Sequence, residues 1–136
     1  MRLAGQSAIL IPVATRCLIV DDNPEFLEAA AQLLQRQGMA VVGMASNIAD
    51  ALARARELEP DVYLVDIDLG DESGLDLAYR LTTTPEINAS QVILISAYSE
   101  MDYADLIAAS PAIGFLSKSE LSSRAVEEAL AGNRRR

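Results

Sequence analysis

The 136-residue sequence predicts an α/β fold: a (βα)5 doubly wound domain with a five-stranded parallel sheet and helices on both faces. Three observations predict it. Five short apolar runs alternate strictly with five segments of helical periodicity, and no repeat or internal linker interrupts them. The runs are continuously apolar, as strands covered on both faces must be. A helical segment follows each run, which suits right-handed crossovers between parallel strands.

Residues 1–15 precede the first clear element. Their apolar run, residues 8–11, is stopped by Pro12 and is too short for a membrane span or a signal-peptide core. A leader is expected there, disordered or adding an edge strand. Residues 17–20 form the first strand and close on Asp21 and Asp22. Pro24 suits the first helical position and Asp22 or Asn23 the cap. Phe26, Leu27, Ala30, Leu33 and Leu34 then recur at helical spacing, and Gly38 supplies the stop. Residues 40–45 make the second strand. Asn47 caps a helix carrying Ile48, Leu52, Ala55 and Leu58 on one face, which ends before Pro60. Residues 61–66 are the third strand, and an acidic loop carries it to Gly74. Leu75, Ala78 and Leu81 mark a third helix that stops before Pro85.

Residues 91–96 are a fourth strand, apolar enough to be interior. Residues 100–109 are helical by composition, yet Asp102 and Asp105 break the stripe beside Tyr103 and Leu106. Residues 113–118 form the fifth strand. Ser119 is expected to cap a last helix carrying Leu121, Ala125, Val126, Ala129 and Leu130, with Gly132 ending it. The domain is therefore expected over residues 16–131, with residues 132–136 as a basic tail.

Composition narrows the function. Twenty acidic residues against 11 basic ones give a net charge of −9, so a nucleic-acid partner is not expected for this domain. The absence of histidine excludes His-based acid–base catalysis and His-ligated metal sites. Cys17 is the single cysteine, so no intramolecular disulfide forms. It reads as a buried thiol in a strand, in keeping with a cytoplasmic setting.

The strand ends carry the chemistry. The first strand finishes on Asp21 and Asp22, the third on Asp66, the fourth on Ser96 and the fifth on Lys118. Taken singly, these residues could be a helix cap, a turn hydroxyl and a surface charge. Together they bring carboxylates, a hydroxyl and an ammonium to one sheet edge. Clustered carboxylates repel unless a cation sits among them, and oxygen ligands suit Mg²⁺. Zinc would want histidine or a cysteine cluster. Metal, lysine and hydroxyl together suit a phosphoryl group in transfer, with a central aspartate as nucleophile.

Over residues 16–131 the chain resembles the receiver domain of two-component response regulators. The matching pieces are LIVDD (18–22), VYLVDIDL (62–69), VILISA (92–97) and GFLSK (114–118), in order and on the expected elements. The resemblance implies the flavodoxin-like receiver fold and a cytoplasmic, Mg²⁺-dependent phosphorelay switch. Asp66 would accept a phosphoryl group from a histidine kinase or phosphotransfer protein. Asp22 and Asp66 would hold Mg²⁺ with the backbone carbonyl of Asp68, and Asp21 would support the metal site. Lys118 would pair with the phosphoryl oxygens, and Ser96 would move to hydrogen-bond them. Phe115 stands where the family carries the aromatic that turns inward; as a plain residue it reads equally well as a core aromatic. Asp68 and Tyr98 fill the two positions that tune acyl-phosphate lifetime. The face built by the fourth helix, fifth strand and last helix would contact a downstream protein or a second copy. Little follows the last helix, so a stand-alone receiver is expected if the protein ends there; a DNA-binding domain following it in a longer protein is the alternative. No membrane association is expected.

The match is not uniform. Receivers often carry proline after the lysine, joined by a cis bond; here Ser119 follows Lys118. A cis bond without proline costs about 2.5–4 kcal/mol, which leaves this loop's geometry open. Gly70 takes the usual proline site after Asp66, and Asp71 and Glu72 make the loop unusually acidic. Two other readings compete. Asp66-x-Asp68 looks like the nucleophile and general acid of haloacid-dehalogenase-type phosphatases, but it lies on the third strand rather than the first, and Gly70 replaces the usual Thr. A pseudo-receiver, an unphosphorylated interaction module, usually lacks one acidic or lysine position, and none is lost here.

Overall fold

The computed structural model describes residues 13–89 and 91–134. The main sheet holds β1 (Arg16–Val20), β2 (Ala40–Ala45), β3 (Val62–Asp66), β6 (Val92–Ser96) and β7 (Gly114–Ser117). Its order is β2-β1-β3-β6-β7 and every pairing is parallel. Between β3 and the third helix lies a feature the sequence reading did not contain, an antiparallel ribbon of β4 (Asp68–Leu69) and β5 (Glu72–Ser73). The helices are α1 (Pro24–Arg36), α2 (Ile48–Leu58), α3 (Gly74–Thr83), α4 (Ala104–Ala108) and α5 (Ser123–Arg134).

The continuous apolar strands divide their side chains between two cores. Leu18, Val20, Val65 and Leu94 pack with α2 and α3, while Cys17, Ile19, Leu64 and Ile95 pack with α1 and α5. Both faces are therefore filled, as the absence of alternation implied. Burial pushes the Cys17 thiol up to about 12, so it stays protonated and inert.

Local signals account for most boundaries. Asn23 accepts the Glu25 and Phe26 N–H groups at 3.0 and 3.3 Å, Pro24 opens α1, and Gly38 lies beyond its end at φ +97°. Asn47 caps α2 through the Asp50 N–H at 2.8 Å. Chain reversal after β1 places β2 outside it and β3 on its other side. The carboxyl ends of β1 and β3 thus flank the point where the winding changes direction, the usual site of chemistry in such sheets.

Three expectations need correction. The fourth helical segment is a 3-10 turn (Glu100–Asp102) followed by only five α-helical residues, because its broken apolar stripe buries none of them. The last helix starts at Ser123 rather than after Ser119; Lys118–Glu120 form a 3-10 turn instead, and Ser122 accepts the Ala125 N–H at 3.0 Å. Nor does Gly132 end that helix, which continues to Arg134; a glycine with open space around it costs a helix only about 1 kcal/mol. Of the leader expected over residues 1–15, residues 1–12 lie outside the described residues. Among the described residues, no helix is long and apolar enough to cross a membrane.

Candidate functional site

The sheet register builds the site. Val20 of β1 pairs with Val65 of β3, so Asp21 and Asp66, the next residue on each, come abreast. Ser96 closes β6 opposite Ser117 of β7, and Lys118 follows directly. One ligand oxygen from each of Asp21, Asp22 and Asp66 falls within 4.8 Å of the others. The Lys118 ammonium stands 2.6 Å from Asp21 Oδ2 and 2.9 Å from Asp66 Oδ2. These residues, with Asn23, Asp68, Ser96, Ala97 and Tyr98, line a cleft of about 220 Å³.

Burial and charge compete here. Asp21 is fully buried and Asp66 is 5% exposed, whereas Asp22 is exposed. Burial raises the Asp66 carboxyl to about 6, and the Asp21 charge adds to the rise. The Lys118 ammonium and the Asp68 N–H, which donates to Asp66 Oδ1 at 2.9 Å, oppose it without cancelling it. Burial draws Lys118 down, but its bonds to Asp21 and Asp66 outweigh that and hold it above its ordinary value. The lysine is a cation throughout.

Among the described residues, one buried side-chain oxygen has no hydrogen-bond partner. Asp21 Oδ1 accepts the Asn23 N–H at 2.9 Å, but the buried Oδ2 makes no hydrogen bond. Its neighbour is the Lys118 ammonium, 2.6 Å away in an ion pair. A buried carboxylate oxygen in that state, in an all-oxygen donor set with three carboxylates against one ammonium, fits a hard divalent cation such as Mg²⁺.

The other sequence candidates divide. Ser96 is buried at the cleft and its Oγ accepts the Tyr98 N–H at 3.0 Å. Tyr98 is 60% exposed, its ring 6.3 Å from that of Tyr103. Asp68 Oδ1 accepts the Gly70 N–H at 3.1 Å, so its carboxylate closes a turn in the loop. Phe115 is not at the cleft: it is half-buried against the core shared with α2 and α3, a core that Tyr103 and Ile107 also pack against. The Lys118–Ser119 peptide is trans.

Two contributors escaped the sequence reading. The Phe26 ring centroid lies 4.3 Å from the Lys118 ammonium, a cation–π contact. Helical spacing marks Phe26 only as apolar, and no pattern announces a contact made 92 residues later (118 − 26). Gly74 packs against the backbone of Asp66: a Cβ there would stand 1.8 Å from the Asp66 carbonyl oxygen. Its N–H donates to the Ile67 carbonyl at 2.7 Å, drawing the loop tight under the carboxylate. A glycine before a helix hinted at a turn, not at this approach.

Comparison with known proteins agrees with this geometry. The family model for the response regulator receiver domain matches residues 17–130. Protein PilH of Pseudomonas aeruginosa is 36% identical over 81 residues, covering 60% of this chain and 66% of that protein. A LuxR-family two-component response regulator from Aurantimonas sp. superposes with a TM-score of 0.77 at 26% identity, over 88% of this chain and 87% of that one. A Burkholderia pseudomallei response regulator, solved with a phosphorylated aspartic acid and a calcium ion, gives a TM-score of 0.71 at 29% identity, over 85% and 66%. The chain spans only part of its curated relatives' length, 66% of PilH and 56% of the response regulator GacA of the same organism.

Proposed function

The chain belongs to the response regulator receiver domain family, a family of signalling domains rather than conventional enzymes, and from that premise we propose that Asp66 is its phosphoacceptor in a histidine-kinase phosphorelay. One observation carries the reading. Asp66 stands in a cleft with Asp21 and Asp22, three carboxylates within 4.8 Å, and its own oxygen is 2.9 Å from Lys118. That arrangement is costly in a resting protein and useful when a phosphoryl group arrives.

An Asp66 oxygen attacks the phosphorus of the donor. A new O–P bond forms as the donor's bond to phosphorus breaks, and the donor keeps that electron pair. Lys118 pairs with the phosphoryl oxygens, and the Asp68 N–H holds the other Asp66 oxygen in place. Mg²⁺ would be held by Asp22, Asp66 and the Asp68 carbonyl with Asp21 in support, and when bound it neutralises charge on the phosphoryl oxygens. The phosphorylated aspartate and the calcium ion of the Burkholderia relative support both assignments.

Ser96 then leaves the Tyr98 N–H and donates its hydroxyl proton to a phosphoryl oxygen, and Phe115 repacks at the edge of the core. A modification shifts such an equilibrium only through unequal interaction with its two states, and the new Ser96 bond supplies that inequality. The readout is a protein contact, with a downstream target or a second copy, over α4, β7 and α5. Exposed Tyr98, Met101 and Leu106 beside that face, at 60%, 88% and 54%, support it. The setting is the cytoplasm, and Asp68 and Tyr98 tune the lifetime of the acyl phosphate.

Acetyl phosphate with Mg²⁺, followed by intact mass, tests the proposal. One phosphoryl increment is expected, lost in Asp66→Asn and on chelation of the metal. No increment, or one that survives Asp66→Asn, would sink it.

A further inference from the structure

The loop after Asp66 carries two carboxylates, Asp71 and Glu72, that the cleft does not use. Glu72 is engaged elsewhere. Its Oε1 accepts the Ile48 N–H at 2.9 Å, across 24 residues of sequence, at the first position of α2. A helix leaves its first N–H groups without internal partners, and Asn47 satisfies only that of Asp50. A carboxylate is the favoured acceptor for another, since the bond is charge-assisted and the helix dipole adds to it.

The same residue belongs to the ribbon. Leu69 pairs with Glu72 and Asp68 with Ser73, a ladder of two residues a side and too short to hold itself. Its anchors are therefore external: buried Leu69, Ser73 capping α3, and Glu72 on α2. Asp68 and Gly70 ride on this ribbon. A Cβ added at Gly70 would stand 3.1 Å from Asp22 Oδ2, so the ribbon also packs close to a second acidic residue of the cleft.

We propose that Glu72 is a positioning residue, locking the β4–β5 ribbon to the first turn of α2 and so fixing the Asp68 carbonyl for the metal. The role rests on the phosphoacceptor reading; the lock itself does not. Removing the side chain frees the ribbon, whereas glutamine keeps an acceptor of the same reach without the charge.

Amide exchange by NMR and a Mg²⁺ titration, on wild type, Glu72→Gln and Glu72→Ala, test both parts. In Glu72→Ala the Ile48 and Gly70 amides are expected to exchange about fivefold faster or more. Its Mg²⁺ affinity is expected to fall about tenfold, with Glu72→Gln restoring most of both. Unchanged exchange in Glu72→Ala would overturn the lock. Faster exchange at unchanged Mg²⁺ affinity would overturn the positioning role, as would Glu72→Gln binding Mg²⁺ as weakly as Glu72→Ala, since that is a through-space charge effect. Should wild type bind no Mg²⁺ and accept no phosphoryl group, the phosphoacceptor reading fails with the positioning role, while the exchange comparison still decides the lock.

Discussion

The half of the cleft built on β1 and β3 and the half built on β6 and β7 are made differently. Around Asp21 and Asp66 every strand residue from Cys17 to Val20 and from Val62 to Asp66 is buried, and α1 and α2 are capped and 13 and 11 residues long. On the other side β6 is itself buried, but beyond it the edge strand β7 is only half-buried, and α4 has five residues, no side-chain cap and no buried residue. The first half holds reactive groups at fixed separations under strain of charge. In the second, β7 and α4 have few apolar contacts to lose, the composition of elements that move cheaply. A switch needs both: a rigid place to deposit charge and a loose place to register it.

Filling the rigid half should do the most damage. Gly74→Ala drives a methyl into the Asp66 carbonyl, and backbone on both sides leaves nowhere to yield. A loss of about 3 kcal/mol or more is expected, read as a drop in the urea midpoint. If instead Gly74→Ala folds with wild-type stability and only phosphorylation suffers, the loop is softer than its packing indicates and the contrast weakens.

Titration probes the same half more gently. Asp66 is raised from 3.8 to about 6, so between those values the native metal-free protein binds more protons than the unfolded chain. Stability must therefore fall as pH rises through that window, being fully present below 3.8 and lost above about 6. The effect is at most about 3 kcal/mol. It should be seen as a declining Tm in wild type relative to Asp66→Asn, and Mg²⁺ should reverse it. A difference between the two proteins that does not change with pH would mean that Lys118 already neutralises the cluster.

Much of this was legible in the sequence, for a definite reason. Strand ends are marked by an abrupt change from apolar to polar, so the sequence alone places Asp21, Asp66, Ser96 and Lys118 on one edge. The fold followed from the same marks, since continuous apolar runs admit few sheets. What stayed hidden depends on contacts between distant residues. Phe26 under Lys118, Gly74 against Asp66 and Glu72 on Ile48 each join elements whose spacing no local pattern encodes. The short α4 was half visible: Asp102 and Asp105 broke its stripe, but only the packing decides how little helix survives. Gly132 misled because a helix tolerates glycine where nothing presses on it.

The smallest effect marks how far the rigid half extends. Phe26 lies on the first turn of α1 and is half-buried, so its ring serves either as packing or as a face for the Lys118 cation. Phe26→Leu keeps part of the apolar volume and removes the π face. A cation–π contact of this kind contributes about 0.5–1 kcal/mol, so a change of that size in the urea midpoint, with unchanged slope, is expected. Packing alone could mimic it, which is why the double mutant with Lys118→Met is needed. If the two losses are coupled, α1 helps to hold the lysine between its carboxylates, and the rigid half reaches the helix surface. Strict additivity would confine that half to the strand ends and leave Phe26 an ordinary core residue.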